Sequence, residues 1–182
     1  MKLTYLLVII ATLSACSSKP AAVKKYYRIE LPGLSETVQK HDATLWIARP
    51  EAHSILGNRP MVATDSEGAL QQLSHHTWLE SPKILIQEQL QNTLANLWKN
   101  VVTDRPRKDS YYQLHSRILA FEKIQNQAHA QMTFKLLSPD LDLVHQFDLS
   151  STKTLNGDTY AAFAEAMGAA LTDIFNQLEF KP

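Results

Sequence analysis

The chain has 182 residues, 18 basic and 18 acidic, with no net charge when histidine is neutral. That balance excludes a surface built to hold a polyanion such as nucleic acid, which needs an excess of Lys and Arg. The single cysteine, Cys16, excludes an internal disulfide and a thiolate-rich metal centre, and five glycines with no Gly/Ser or Pro tract leave no internal linker.

Met1 and Lys2 give a positive start, and Leu3 to Thr12 form an apolar run of about ten residues. A helix needs roughly 20 such residues to cross a bilayer, so the run reads as a signal-peptide core and not as an anchor. Leu13-Ser14-Ala15-Cys16 follows and resembles the lipobox of bacterial lipoproteins. The resemblance implies cleavage after Ala15, a diacylglycerol on the Cys16 thiol and a further acyl chain, palmitate or similar, on the new amino group. More than one chain is what holds a protein stably on a membrane. Ser17 stands where an aspartate would retain such a protein at the inner membrane, so the same resemblance implies the outer membrane, facing the periplasm. The chain divides into a signal peptide (1–15), a lipidated tether (16–25) and one folded domain (26–182).

Tyr26 to Leu31 is aromatic and β-branched and is stopped by Pro32-Gly33, which predicts a first strand. Thr44 to Ala48 predicts a second, and Glu51 to Pro60 a loop. Met61 to Thr64 and Ala69 to Leu73 predict a hairpin around Asp65-Ser66-Glu67-Gly68, where Gly68 is free to take a positive φ. Ser81-Pro82 opens a helix, with serine as cap and proline at the first position. Ile86, Leu90, Leu94, Leu97, Trp98 and Val101 form its apolar stripe and carry it to about Asn100, and Val101 to Thr103 are read as the start of another strand. Arg105, Arg107 and Lys108 sit in a solvated loop, where each cation is worth about 1 kcal/mol if it nears an anionic lipid surface.

The next forty residues predict an antiparallel meander of three strands. Tyr112, Leu114, Ile118 and Ala120 share one parity, then Ala128, Ala130, Met132, Phe134 and Leu136, then Leu141, Leu143, His145, Phe147 and Leu149, with turns at Asn126 and Ser138-Pro139-Asp140. Asp158 caps a last helix whose core stripe runs from Tyr160 to Leu178. Ala162, Ala166 and Ala169 lie on a thinly covered flank that admits a sheet or another subunit. The expected fold is α/β: a single layered domain of five to seven strands in a mixed sheet, with the meander and two long helices.

Signatures of catalysis are missing: no G-x-S-x-G, P-loop, H-E-x-x-H or paired C-x-x-C. His75-His76 with Asp65 and Glu80 is the best remaining constellation, but adjacent histidines on a strand face opposite ways and cannot easily share one ion. No catalytic, metal or cofactor site is expected. Tyr26, Tyr27 and Trp78 read as core or as interface aromatics.

Tyr26-Tyr27-Arg28-Ile29, Leu45-Trp46-Ile47, the hairpin, and Trp78-Leu79-Glu80-Ser81-Pro82 before a Gln/Leu-rich helix resemble, in this order, the ABC-type transport auxiliary lipoproteins, the family of paraquat-inducible protein C. The resemblance spans nearly the whole chain. It implies a non-enzymatic auxiliary part of an MCE-type, ABC-linked system that moves lipid between membranes. Its partners would be the MCE-domain tunnel protein and further copies of itself in a ring, with Tyr26, Tyr27, Trp78, Ala162, Ala166 and Ala169 as the candidate contact surface. A lipid-anchored periplasmic hydrolase and a structural envelope-assembly lipoprotein are the alternatives.

Overall fold

The computed structural model describes residues 23–32, 41–107 and 110–178. In chain order it holds β1 (Lys25–Tyr27), β2 (His41–Ile47), β3 (Glu51–Ala52), α1 (Ser54–Gly57), β4 (Pro60–Thr64), β5 (Leu70–Trp78), α2 (Pro82–Leu94), β6 (Trp98–Val102), β7 (Tyr112–Ile124), β8 (Gln127–Leu137), β9 (Leu143–Thr154) and α3 (Tyr160–Asn176). Ala15 and Cys16, with the signal peptide and most of the tether, lie outside the described residues.

The nine strands form one mixed sheet, wider than the five to seven expected, and β7 is its hub. Along one edge β7 pairs in parallel with three successive pieces of chain: β2 at Leu45↔Tyr112, β3 at Glu51↔Arg117 and β4 at Ala63↔Lys123. The segment expected as a loop, 51–60, thus contributes β3 and the single turn α1. Its β3 residues lie beside Arg117 and Ile118, which lets two of them join the ladder. Along its other edge β7 pairs antiparallel with β8, and β8 with β9, which is the expected meander. Outside β2 lies β6, and outside β4 lie β5 and then β1.

Period-2 sequence explains β8 fully: Ala128, Ala130, Met132, Phe134 and Leu136 are buried, and the residues between them are not. In β7 the pattern holds as far as Ile118. There Leu119 is an extra residue, since Ile118 pairs with Met132 but Ala120 with Gln131. This bulge changes the parity, so Phe121 rather than Ala120 joins the central core. Leu119 is left 37% exposed.

Helix α3 packs on β8 and β9 through Phe163, Met167, Leu171, Ile174 and Phe175. Burying each such side chain is worth about 1.5–3 kcal/mol. Its cap is Thr159, not Asp158: the Thr159 Oγ1 accepts from the Ala162 N–H at 3.1 Å. Helix α2 starts at Pro82 as expected, although the Ser81 hydroxyl makes no capping bond. It stops six residues early, at Leu94. Leu97 N–H turns back to Leu94 O, and Trp98 to Val102 pair with β2 instead, where Trp98 stacks on His41 and meets Tyr112 at a tilt.

The first strand is also shorter than expected. After Tyr27 the chain leaves the sheet and crosses α3, burying Ile29. The Glu30 carbonyl rests on the helix at Gly168, where a Cβ would stand 2.1 Å from the oxygen. Only glycine leaves room for that crossing.

Candidate docking surface

The two ends of the sheet differ. Strand β4 runs with β7, β5 runs against β4, and β1 runs with β5, so β1 runs against β7. The chain therefore enters the sheet beside the last residues of β5, running toward the end where β7 begins; the end where β7 finishes holds the 65–68, 125–126 and 155–159 turns. The β6–β7 connection and the β8–β9 turn lie at the opposite end, beside the start of β7.

At that far end Trp46 is central. Leu45 and Ile47 are fully buried, so alternation turns Trp46 to the other face of β2. Val102 of β6 and Gln113 of β7 flank it in register, and the connection between those strands crosses β2 over its ring. Trp46 Nε1 donates to Thr103 O at 3.1 Å, and the Arg105 guanidinium lies 5.3 Å from the ring centre. Arg105 Nε donates to Tyr111 OH at 3.0 Å, while Tyr111 and His115 meet the indole edge-on. A cation–π contact at an exposed site is worth about 0.5–1 kcal/mol. Burial is the main cause that lowers the His115 pKa; Glu51 opposes it and Arg105 adds to it.

An open groove of ≈ 610 Å³ adjoins this cluster, between α2, β6 and the connection, with Gln91, Asn100, Val101, Arg105, Arg107 and Tyr111 in its walls. A second, of ≈ 340 Å³, runs from Arg105 and Arg107 to Pro139 and Leu141. The β8–β9 turn is held by Ser138 Oγ, which accepts from the Asp140 and Asp142 N–H groups. It presents Leu141 (62% exposed, φ 69°), Leu143 and Val144 to solvent. An exposed leucine in the left-handed region is uncommon, and such strain gathers at functional positions.

The residues singled out from sequence are dispersed. Tyr26 is 55% exposed, with Arg59 over its ring at 5.4 Å. Tyr27 is half-buried and its hydroxyl meets His76 Nδ1 at 3.0 Å; burial, then Tyr160, raises its pKa. Trp78 is fully buried against Phe121 and Phe163. Ala162 and Ala166 belong to the core, and Ala169 is half-buried. Part of the small-residue flank is thus occupied by the chain's own Glu30.

His75, His76, Asp65 and Glu80 do not converge. His75 is exposed, whereas His76 is stacked on Tyr160 at 3.6 Å, its pKa lowered by burial first and then by Lys25 and His75. Asp65 accepts from the Glu67 and Ala69 N–H groups and from Gln71 inside its own turn, bonds that lower its pKa, with Ala69 the largest cause. Thr77 pairs with Pro60 across a bulge, so His76 lies about four strand residues, roughly 13 Å, from that turn. Glu80 lies beyond the other end of β5 and is exposed. Among the described residues no three His, Cys, Asp or Glu side chains could hold a metal ion. The Trp46–Arg105–Tyr111–His115 cluster was not singled out from sequence, though one signal was present: a tryptophan on the polar parity of a strand.

No curated protein matches the chain. A crystal structure of a Xanthomonas campestris protein assigned to the family model DUF330 is similar at TM-score 0.74 and 19% identity, covering 85% of this chain and 92% of that one. A crystal structure of an uncharacterized protein is similar at TM-score 0.67 and 14% identity, covering 85% and 93%. At these identities the likeness is one of fold. No described helix is long and apolar enough to cross a membrane. The model of the ABC-type transport auxiliary lipoprotein component matches residues 27–179, from the last residue of β1 to three residues past the end of α3, and the chain belongs to that family.

Proposed function

We infer that the protein is anchored in the outer membrane through acyl chains on Cys16, after cleavage behind Ala15, and serves in the periplasm as a non-enzymatic docking part of an MCE-type lipid transport system. The observation that carries this reading is the separation of the tether from the apolar and cationic surface. The tether enters through β1, an outer strand beside the last residues of β5, while the Arg105 loop follows β6 on the opposite side of the sheet path and, with the exposed leucines, occupies the end where β7 begins. A part fixed to a membrane through one edge and carrying an apolar, cationic surface away from it is suited to meeting a periplasmic partner. Family membership supports an auxiliary role in ABC-type transport. A ring of copies belongs to the same proposal, with Tyr26 as the exposed member of the candidate contact set.

The test pairs labelling with capture. Wild-type protein should incorporate labelled palmitate, fractionate with the outer membrane and crosslink in intact cells to an MCE-domain protein. The Cys16→Ala variant should fold normally, remain soluble in the periplasm and lose transport. Full transport by the unlipidated variant, or recovery of the wild type from the cytosol, refutes the proposal.

A further inference from the structure

We propose that the free edge of β6 and the groove beside it take an extended acidic segment of a partner protein as an added strand, with Arg107 meeting its carboxylate. This deepens the docking role above and rests on it. The Ala48 N–H donates to Leu114 O of β7 at 3.0 Å. Main-chain groups alternate along a strand, so those of Trp46 point to β7 and those of Leu45 and Ile47 to β6. In the parallel register Leu45↔Val101 and Trp46↔Val102, the β6 residues that bond Leu45 and Ile47 are Asn100 and Val102. Val101, and by alternation Lys99, are left with N–H and C=O turned away from the sheet. One of these groups has a substitute partner: Gln91 Nε2 of α2 reaches Val101 O at 3.5 Å, the long limit of a hydrogen bond. Among the described residues no strand pairs with this side of β6. Such an edge is a template for an incoming strand, whose affinity comes from main-chain bonds and whose specificity comes from neighbouring side chains.

The cation left free in the groove selects for acid. The ≈ 610 Å³ groove follows β6 from Asn100 to Thr103 and continues past one carboxylate, Asp104, to two guanidinium groups, Arg105 and Arg107. Arg105 is committed to Trp46 and Tyr111. Arg107 is exposed and makes no hydrogen bond or ion pair to another described residue, so its guanidinium is available to a carboxylate in a bidentate pair. Val101 and Val102 give the groove apolar wall, which suits alternate side chains of an extended segment.

The probe is a short fluorescein-labelled peptide alternating valine and aspartate, titrated by anisotropy against the full lipoprotein in detergent micelles. Saturable binding is expected. It should weaken about tenfold, the loss of one charge-assisted hydrogen bond, in Arg107→Glu, and similarly when lysine replaces aspartate. An N-methylated peptide, which cannot pair as a strand, should not bind, and a photocrosslinker on the peptide should mark β6. The assignment is overturned by equal binding of the lysine or N-methylated peptide, by crosslinks on β9, by self-association that displaces the probe, or by no binding. If the probe fails while an MCE-domain protein is still captured through the lipidated chain, the β6 site falls and the docking role stands.

Discussion

Replacing Gly168 by alanine tests whether the crossing of the N-terminal segment over α3 is part of the folded body. On an exposed helix the change would stabilise, since glycine is about 1 kcal/mol worse than alanine in a helix interior. Here the new methyl would stand 2.1 Å from the Glu30 carbonyl oxygen, a backbone atom with no rotamer to escape into. Either the segment lifts or the helix shifts. Overpacking of this kind costs about 1–3 kcal/mol, and lifting the segment also withdraws Ile29, whose burial is worth about 1.5–3 kcal/mol. The clash should outweigh the propensity gain by about 1–3 kcal/mol. For a domain of this size that is a fall in Tm of roughly 2–10 °C. Circular dichroism melting measures it, and faster proteolysis at Arg28 should accompany it. In the double variant with Ile29→Ala the losses should not add, because both remove the same contact. A Gly168→Ala protein that melts higher than wild type and resists protease equally would refute the crossing.

Thr159→Ala should cost about 1 kcal/mol by removing the cap of α3, read as a lower urea midpoint, whereas Asp158→Ala should have little effect. Asp173 is held below the usual carboxylate pKa chiefly by Lys153, with Ser151 assisting and burial opposing. A depressed pKa contributes stability above the unfolded value, and that stability is lost as pH falls through the folded one. Asp173 and Lys153 are both more than a third exposed, so Asp173→Asn should cost under about 1 kcal/mol at neutral pH. In urea titrations the cost should shrink as pH falls below the ordinary aspartate range and vanish once the folded carboxyl is protonated; a difference that persists there would point to a packing role. Leu141→Gly relieves a positive φ without uncovering core, so calorimetry should show unchanged or slightly raised stability, by up to about 1 kcal/mol, while capture of the partner falls.

What could be read from sequence was whatever depends on neighbours along the chain. Alternation in Ala128 to Leu136 specifies a strand with one buried face wherever it is placed. Pro82 marks a helix start for the same local reason. The Asp65 to Gly68 turn appears as expected, with Gly68 at φ 86°. Family membership was also legible, from the order of these local signals along the chain.

What remained hidden depends on partners distant in sequence. Leu97 and Trp98 continue a helical stripe on paper, yet β2 is in place to receive the chain as a strand from Trp98, three residues before the start read from sequence at Val101. The extra residue at Leu119 exists only relative to β8, so no pattern within β7 could reveal it. Trp46 and Arg105 are 59 positions apart and meet because one connection crosses β2. Residue type and spacing thus determined which segments are strands and helices. Register, crossing and burial, and with them the surface open to a partner, were decided only when the segments packed, since contact energies depend on which distant side chains arrive.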